Sequence, residues 1–162
     1  MKNSKMQKVL IALDYNPTAQ KVAETGFSLA QAMGAEVFLL HVISDPVYYS
    51  TSEYSPIMGF TGYNMDNDLL RLDNDEDLKK ATQHFLDKSK HHLGDETIQT
   101  LIKEGDFAES ILKAAKEVHA DIIVMGSHSR RWLDEILMGS VTETVLHHTP
   151  IPLFIVPTKK HN

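Results

Sequence analysis

Four short apolar runs punctuate the chain: VLIAL (9–13), VFLLHV (37–42), IIVM (122–125) and LFIV (153–156). Each is bounded by a polar or turn residue and is rich in branched side chains. A strand with one wet face alternates apolar and polar residues. A continuous apolar run marks a strand covered on both faces, as in a parallel sheet. None is long enough to cross a bilayer, which takes ~20 apolar residues. A fifth segment, TIQTLIK (97–103), mixes polar with apolar residues and suits a strand near a sheet edge.

Helical periodicity fills the gaps. After Asn16, a candidate N-cap, and Pro17, a candidate first helical residue, Val22, Gly26, Leu29, Ala30 and Met33 form a stripe that Gly34 stops. A second helix is expected from about Asp68 to Leu93, with Leu78, Ala81, Phe85 and Leu86 inward and Gly94 as its stop. A third opens at Asp106, with Glu109 three residues later, and buries Ala108, Ile111, Leu112, Ala115 and Val118. A fourth follows Gly139 and ends before Pro150. The order β-α-β-α-β-α-β-α-β predicts an α/β domain, a parallel sheet with helices on both faces. The 162 residues suit one such domain and a real core. Residues 44–66, rich in Tyr, Ser, Pro and Gly, match no periodic template and form a long insertion after the second strand. Long loops of this kind in compact domains are usually functional or partly disordered.

Composition removes several functions. The formal net charge is -6 with both signs interspersed, which argues against nucleic acid as the main partner. Cysteine is absent, so a disulfide framework, a thiolate nucleophile and a Cys-ligated zinc site are excluded. The N-terminal apolar run stops at Asp14, too short for a secretion signal. A soluble cytoplasmic protein is expected.

In a doubly wound sheet, ligands bind beyond the carboxyl ends of the strands, where the strand order reverses. Winding strands two and three to one side of strand one, and four and five to the other, puts the reversal between strands one and four. Asp14 directly follows strand one and Gly126 directly follows strand four. A glycine there lets backbone N–H groups approach phosphate oxygens. GSVTE (139–143) then opens a helix whose free N–H groups and positive dipole end attract an anion. Ser140 and Thr142 add hydroxyls suited to phosphate or a magnesium ion, and Asp14 suits an adenine amino group or a ribose hydroxyl. Each residue also has a reading without a ligand. Ser140 and Glu143 fit a Ser-x-x-Glu capping box, Gly126 a simple turn, and Asp14 a cap of the first helix. For Asp14 alone the structural reading ranks first; at Ser140 capping and binding coexist.

Over nearly its full length the chain resembles the universal stress protein family. The matching stretches are KVLIALDYNPTAQKVAETGFSLAQAMGAEVFLLHVI, EGDFAESILKAAKEVHADIIVMGSHSR and GSVTETVLHHTPIPLFIVP. The nucleotide-binding branch of that family carries Gly, two residues, Gly, nine residues, then Gly with Ser or Thr. Here the motif falls on Gly126, Ser129, Gly139 and Ser140, with the nine-residue spacing kept and Ser129 in place of the second glycine. The resemblance implies an ATP-binding fold with strand order 3-2-1-4-5, and a homodimer paired through the last strand, about 152–156. It implies adenine and ribose contacts at Asp14 and Val42, and a phosphate segment of Gly126, Ser129, Arg130, Gly139, Ser140, Val141 and Thr142. Ala12 and Met125 complete the implied nucleotide-binding set. If position 129 needs a left-handed backbone, a non-glycine residue there costs roughly 1–2 kcal/mol. Ser129 is therefore read as lowering affinity or shifting preference towards ADP or AMP.

Other chemistries fare worse. The nine histidines include the adjacent pairs His91–His92 and His147–His148, and neighbours on a helix point apart. No HExxH pattern appears, so a protein-only metal site is not expected; magnesium would enter through nucleotide phosphates. His128 reads as an exposed loop histidine. GSHSR (126–130) lacks the second glycine of a nucleophile elbow. Arg130 and Arg131 read as solvated or as steering phosphate. Trp132, Leu133, Ile136 and Leu137 have helical spacing. Tyr48, Tyr49, Tyr54 and Tyr63 suit a lid, a partner surface or simple packing. The expected activity is adenine-nucleotide binding by a stress-response regulatory module. The alternatives are a dimeric interaction protein without nucleotide, and a weak ATPase.

Overall fold

The computed structural model describes residues 7–14, 19–43, 75–127 and 140–158. Within them the elements run β1 (Lys8–Ala12), α1 (Ala19–Met33), β2 (Glu36–Ile43), α2 (Asp75–Leu93), β3 (Gln99–Glu104), α3 (Phe107–Val118), β4 (Ile122–Gly126), α4 (Ser140–His148) and β5 (Leu153–Val156). Asn16, Pro17, the tyrosine-rich insertion, the expected helix start near Asp68 and residues 128–139 lie outside the described residues.

The five strands form one parallel sheet in the order β3-β2-β1-β4-β5. All four apolar runs became strands: the second and third are lengthened, the first is shifted by one residue to Lys8–Ala12, and the last keeps its bounds. The polar fifth segment is an edge strand, as its composition predicts, with a half-exposed pattern throughout.

Successive strand residues point to opposite faces, and the core divides accordingly. Val9, Ile11 and Leu13 pack with α1 and α2 through Val22, Phe27, Ala30, Phe85 and Leu86. Leu10, Leu40, Val42, Ile123 and Met125 pack with α3 and α4 through Ala108, Ile111, Ala115, Val141 and Val145. Continuous apolar runs are what such two-sided burial demands. Leu78, Ala81, Phe85 and Leu86 of α2 are all buried, whereas Leu29 and Met33 of α1 and Leu112 and Val118 of α3 are only partly covered.

The helix ends follow local chemistry. Asp106 stands in extended conformation before α3 and its carboxylate accepts from the Glu109 N–H at 2.9 Å, an N-cap bond that satisfies one orphan donor. Gly34 and Gly94 follow α1 and α2 with φ of 66° and 74°, the left-handed turn expected of their glycines. His119 makes the same turn after α3 at φ 57° without being glycine, and the sequence gives no sign of it.

Candidate functional site

Pairing around β1 is unequal at its carboxyl end. Towards β2 the ladder runs through Ala12↔Leu40, and the Leu13 N–H still donates to the Leu40 carbonyl at 2.8 Å. Towards β4 the last paired residues are Ile11 and Val124. β4 in turn stays with β5 through Gly126↔Val156, and the Ser127 N–H donates to the Val156 carbonyl at 2.9 Å. Beyond that point β1 keeps to β2 and β4 to β5, at the place where the strand order reverses and where a doubly wound sheet forms its ligand crevice.

Several of the residues singled out in the sequence lie at the carboxyl end of the sheet, on its α3–α4 side. Val42 and Met125 are 3% and 2% exposed and belong to that face's core. Ala12 is half-buried against it. Asp14, two residues beyond the end of β1, is half-buried. Val141 and Thr142, in the first turn of α4, are buried there too, and Ser140 is exposed at the helix start. The arrangement offers an apolar floor, a carboxylate at the rim and the N-terminal end of a helix. Ser129, Arg130 and Gly139 lie outside the described residues.

One detail differs from the reading of the sequence. Ser140 is the first residue of α4 rather than the cap before it, and the Thr144 hydroxyl donates to its carbonyl at 2.8 Å. The Glu143 carboxylate lies 3.8 Å from His147 one turn on, both exposed.

Gly126 is needed for a reason the sequence does not reveal. A Cβ there would stand 2.9 Å from Thr158 Cγ2, close enough to force a shift, and 3.1 Å from Val22 Cγ2, a tight contact. Its carbonyl accepts the buried Thr142 hydroxyl at 2.8 Å, so strand end and helix start are bonded to each other. Ser127 and Thr158, both buried, meet on the other side: the Thr158 N–H donates to Ser127 Oγ at 3.0 Å and the two hydroxyls lie 3.3 Å apart. The Lys21 ammonium donates to the Pro157 carbonyl at 2.7 Å.

His41 sits at the same end of the sheet on the opposite, α1–α2 face. It is 1% exposed, with its ring edge-on to Phe85 at 6.2 Å. Nδ1 lies 2.9 Å from the Leu13 carbonyl, and a carbonyl only accepts, so Nδ1 carries the proton. Burial pushes its pKa down to about 3, against a smaller upward pull from that bond. A neutral imidazole thus fixes the backbone immediately before Asp14. Among the described residues no group of three or more metal-ligating side chains forms, and no helix is long and apolar enough to cross a membrane.

A sequence model described as the universal stress protein family matches residues 5–157. Over 155 residues the chain is 30% identical to Universal stress protein MJ0577 of Methanocaldococcus jannaschii, covering 94% of this chain and 96% of that one. It is 29% identical over 151 residues to Universal stress protein YxiE of Bacillus subtilis, covering 92% and 97%. The solved structure of MJ0577 aligns with a TM-score of 0.70 at 28% identity, over 97% of this chain and 99% of that one. A universal stress protein solved in complex with cAMP aligns with a TM-score of 0.63 at 18% identity, over 96% and 100%.

Proposed function

The chain belongs to the universal stress protein family, and from that premise we propose that it binds an adenine nucleotide in the crevice between β1 and β4. The observation that carries the proposal is the parting of those strands beyond Ile11 and Val124, with Asp14 on one lip and Gly126 on the other. In this reading the base lies against Ala12, Val42 and Met125, and Asp14 accepts from ribose or adenine. The phosphates lie towards the start of α4, where Ser140, Val141 and Thr142 follow the proposed contacts Ser129, Arg130 and Gly139. Free N–H groups and the helix dipole favour an anion there. The ligand is ATP, ADP or AMP, with magnesium held through its phosphates. That one protein of this fold was solved with cAMP agrees with an adenine ligand.

The proposed activity is binding rather than turnover, with slow hydrolysis at most, in a cytoplasmic stress-response module. A nucleotide regulates only if it binds two conformations of the protein differently. The module is proposed to act as a homodimer joined along β5, an edge strand whose Phe154 is 39% exposed.

A second reading, a dimeric interaction protein without nucleotide, draws on a specific observation. The missing Cβ of Gly126 and the hydroxyl of Thr142 both have structural work that involves no ligand. Denaturing the purified protein and identifying released small molecules by chromatography and mass separates the two. Co-purified ATP, ADP or AMP, or a melting temperature raised by Mg-ATP, supports binding. An empty protein whose melting is indifferent to Mg-ATP favours the second reading.

A further inference from the structure

The chain just beyond β5 does more than end the sheet. Pro157 and Thr158 follow β5 beside the exit of β4, and two bonds hold them: Thr158 N–H to Ser127 Oγ at 3.0 Å and Lys21 Nζ to the Pro157 carbonyl at 2.7 Å; just before them the Ser127 N–H donates to the Val156 carbonyl at 2.9 Å. Thr158 is 4% exposed and Ser127 8%. Thr158 also occupies the space that a side chain at 126 would need. From the other face Thr142 holds the Gly126 carbonyl. The Gly126–Ser127 peptide is therefore gripped between α4 and the continuation of an edge strand.

We propose that Ser127 and Thr158 are positioning residues for the nucleotide, and that through them occupancy of the crevice and the order of the β5 edge control one another. The proposal rests on the functional reading above, since it takes Gly126 as a lip of the nucleotide site. Its physical content is linkage. A ligand whose fit depends on the backbone at 126–127 binds more tightly when residues 157–158 already hold that backbone. By reciprocity the bound ligand makes those residues harder to release, by the same factor. The edge strand carries Phe154, half-turned to solvent, so what β5 offers to a second copy of this chain changes with the nucleotide. Neither Ser127 nor Thr158 need touch the ligand.

The test uses the full chain. Mg-ATP affinity is measured by calorimetry, and amide exchange across 153–158 is followed with and without saturating Mg-ATP. Ser127→Ala removes the acceptor of the Thr158 N–H and is expected to lower affinity roughly five- to ten-fold, the effect of one buried hydrogen bond. In the unaltered protein Mg-ATP is expected to slow exchange across 153–158 by a similar factor, and in Ser127→Ala to slow it little. Lys21→Met, at an exposed position, loosens the same hold from outside and serves if Ser127→Ala does not fold. Its readout is the loss of ATP-dependent slowing, which a missing surface charge does not itself produce. A variant that melts earlier yet binds ATP within two-fold of the unaltered protein shows a merely structural bond and overturns the proposal. So does an unaltered protein that binds ATP without any change of exchange across 153–158. An unaltered protein that binds no adenine nucleotide fails at an earlier step: it overturns the functional reading, and this inference with it.

Discussion

The Thr142 hydroxyl donates to the Gly126 carbonyl across 2.8 Å, both residues buried, and joins the start of α4 to the end of β4. The bond spans 16 residues of sequence and fixes where the helix N-terminus points relative to the crevice. Thr142→Val keeps the shape and removes the donor. It is expected to cost about 1–2 kcal/mol, and for a domain of this size to lower the melting temperature by roughly 2–8 °C. Thr142→Ser, which keeps the hydroxyl, should recover much of that loss. Thermal denaturation of the three proteins decides; a valine variant as stable as the parent removes the bond from the account.

At Gly126 the prediction concerns crowding rather than backbone freedom. Gly126→Ala sets a methyl against Thr158 and Val22 and should destabilise by about 1–3 kcal/mol. Thr158→Ser deletes the nearest methyl and keeps the hydroxyl, so the double variant should be less destabilised than the sum of the two single changes. Urea unfolding of the four members of the cycle measures the coupling, expected at ~0.5 kcal/mol or more. Strict additivity would mean that the two side chains never meet.

His41 gives stability a pH dependence of known sign. Its folded pKa of about 3 lies below the ordinary 6.5. Between those values the unfolded chain takes up a proton that the folded chain refuses. The stabilising effect is complete above about pH 6.5 and declines by ~1.4 kcal/mol per pH unit as pH falls towards 3. In His41→Asn the urea midpoint should depend on pH with one proton fewer across pH 4.5–6. Equal slopes in the two proteins would show that His41 titrates while folded.

Phe154 tests the proposed assembly. It lies on an edge strand with its side chain 39% exposed, and a lysine on an edge opposes strand addition. Phe154→Lys should stay folded and sediment as a monomer at concentrations where the unaltered protein sediments as a dimer. A dimer that persists places the interface elsewhere.

The parts legible in the sequence were those written in local or periodic form. Two-sided burial makes a strand continuously apolar, so four of the five strands followed from VLIAL, VFLLHV, IIVM and LFIV, while their order came from the usual winding of such sheets and from the family resemblance. Asp106 and Glu109 announced an N-cap, and the bond is there. At Ser140 the same kind of spacing marks the start of α4. The bonds of Ser127 with Thr158, Lys21 with Pro157 and His41 with Leu13 span 31, 136 and 28 residues. Such contacts leave no periodic trace, since any serine, lysine or histidine reads alike until the chain has folded. Val42 and Met125 entered the expected site through family resemblance, and without it both would read as core, which they also are.

Asp121 accepts the N–H groups of Gln7 and Lys8 at 2.8 and 2.9 Å, across 114 and 113 residues of sequence. With it β4 docks beside β1, the first strand to be synthesised. On the ribosome β1 and β2 can meet early, because one helix separates them, but β1 must wait for most of the chain before its other neighbour arrives. Contacts that close such long loops form late and slowly. The wall between Ala12 and Met125 is therefore a finishing step of biogenesis. A nascent or prematurely ended chain lacking β4 has no crevice to fill, and a nucleotide can stabilise only molecules that have already completed their sheet.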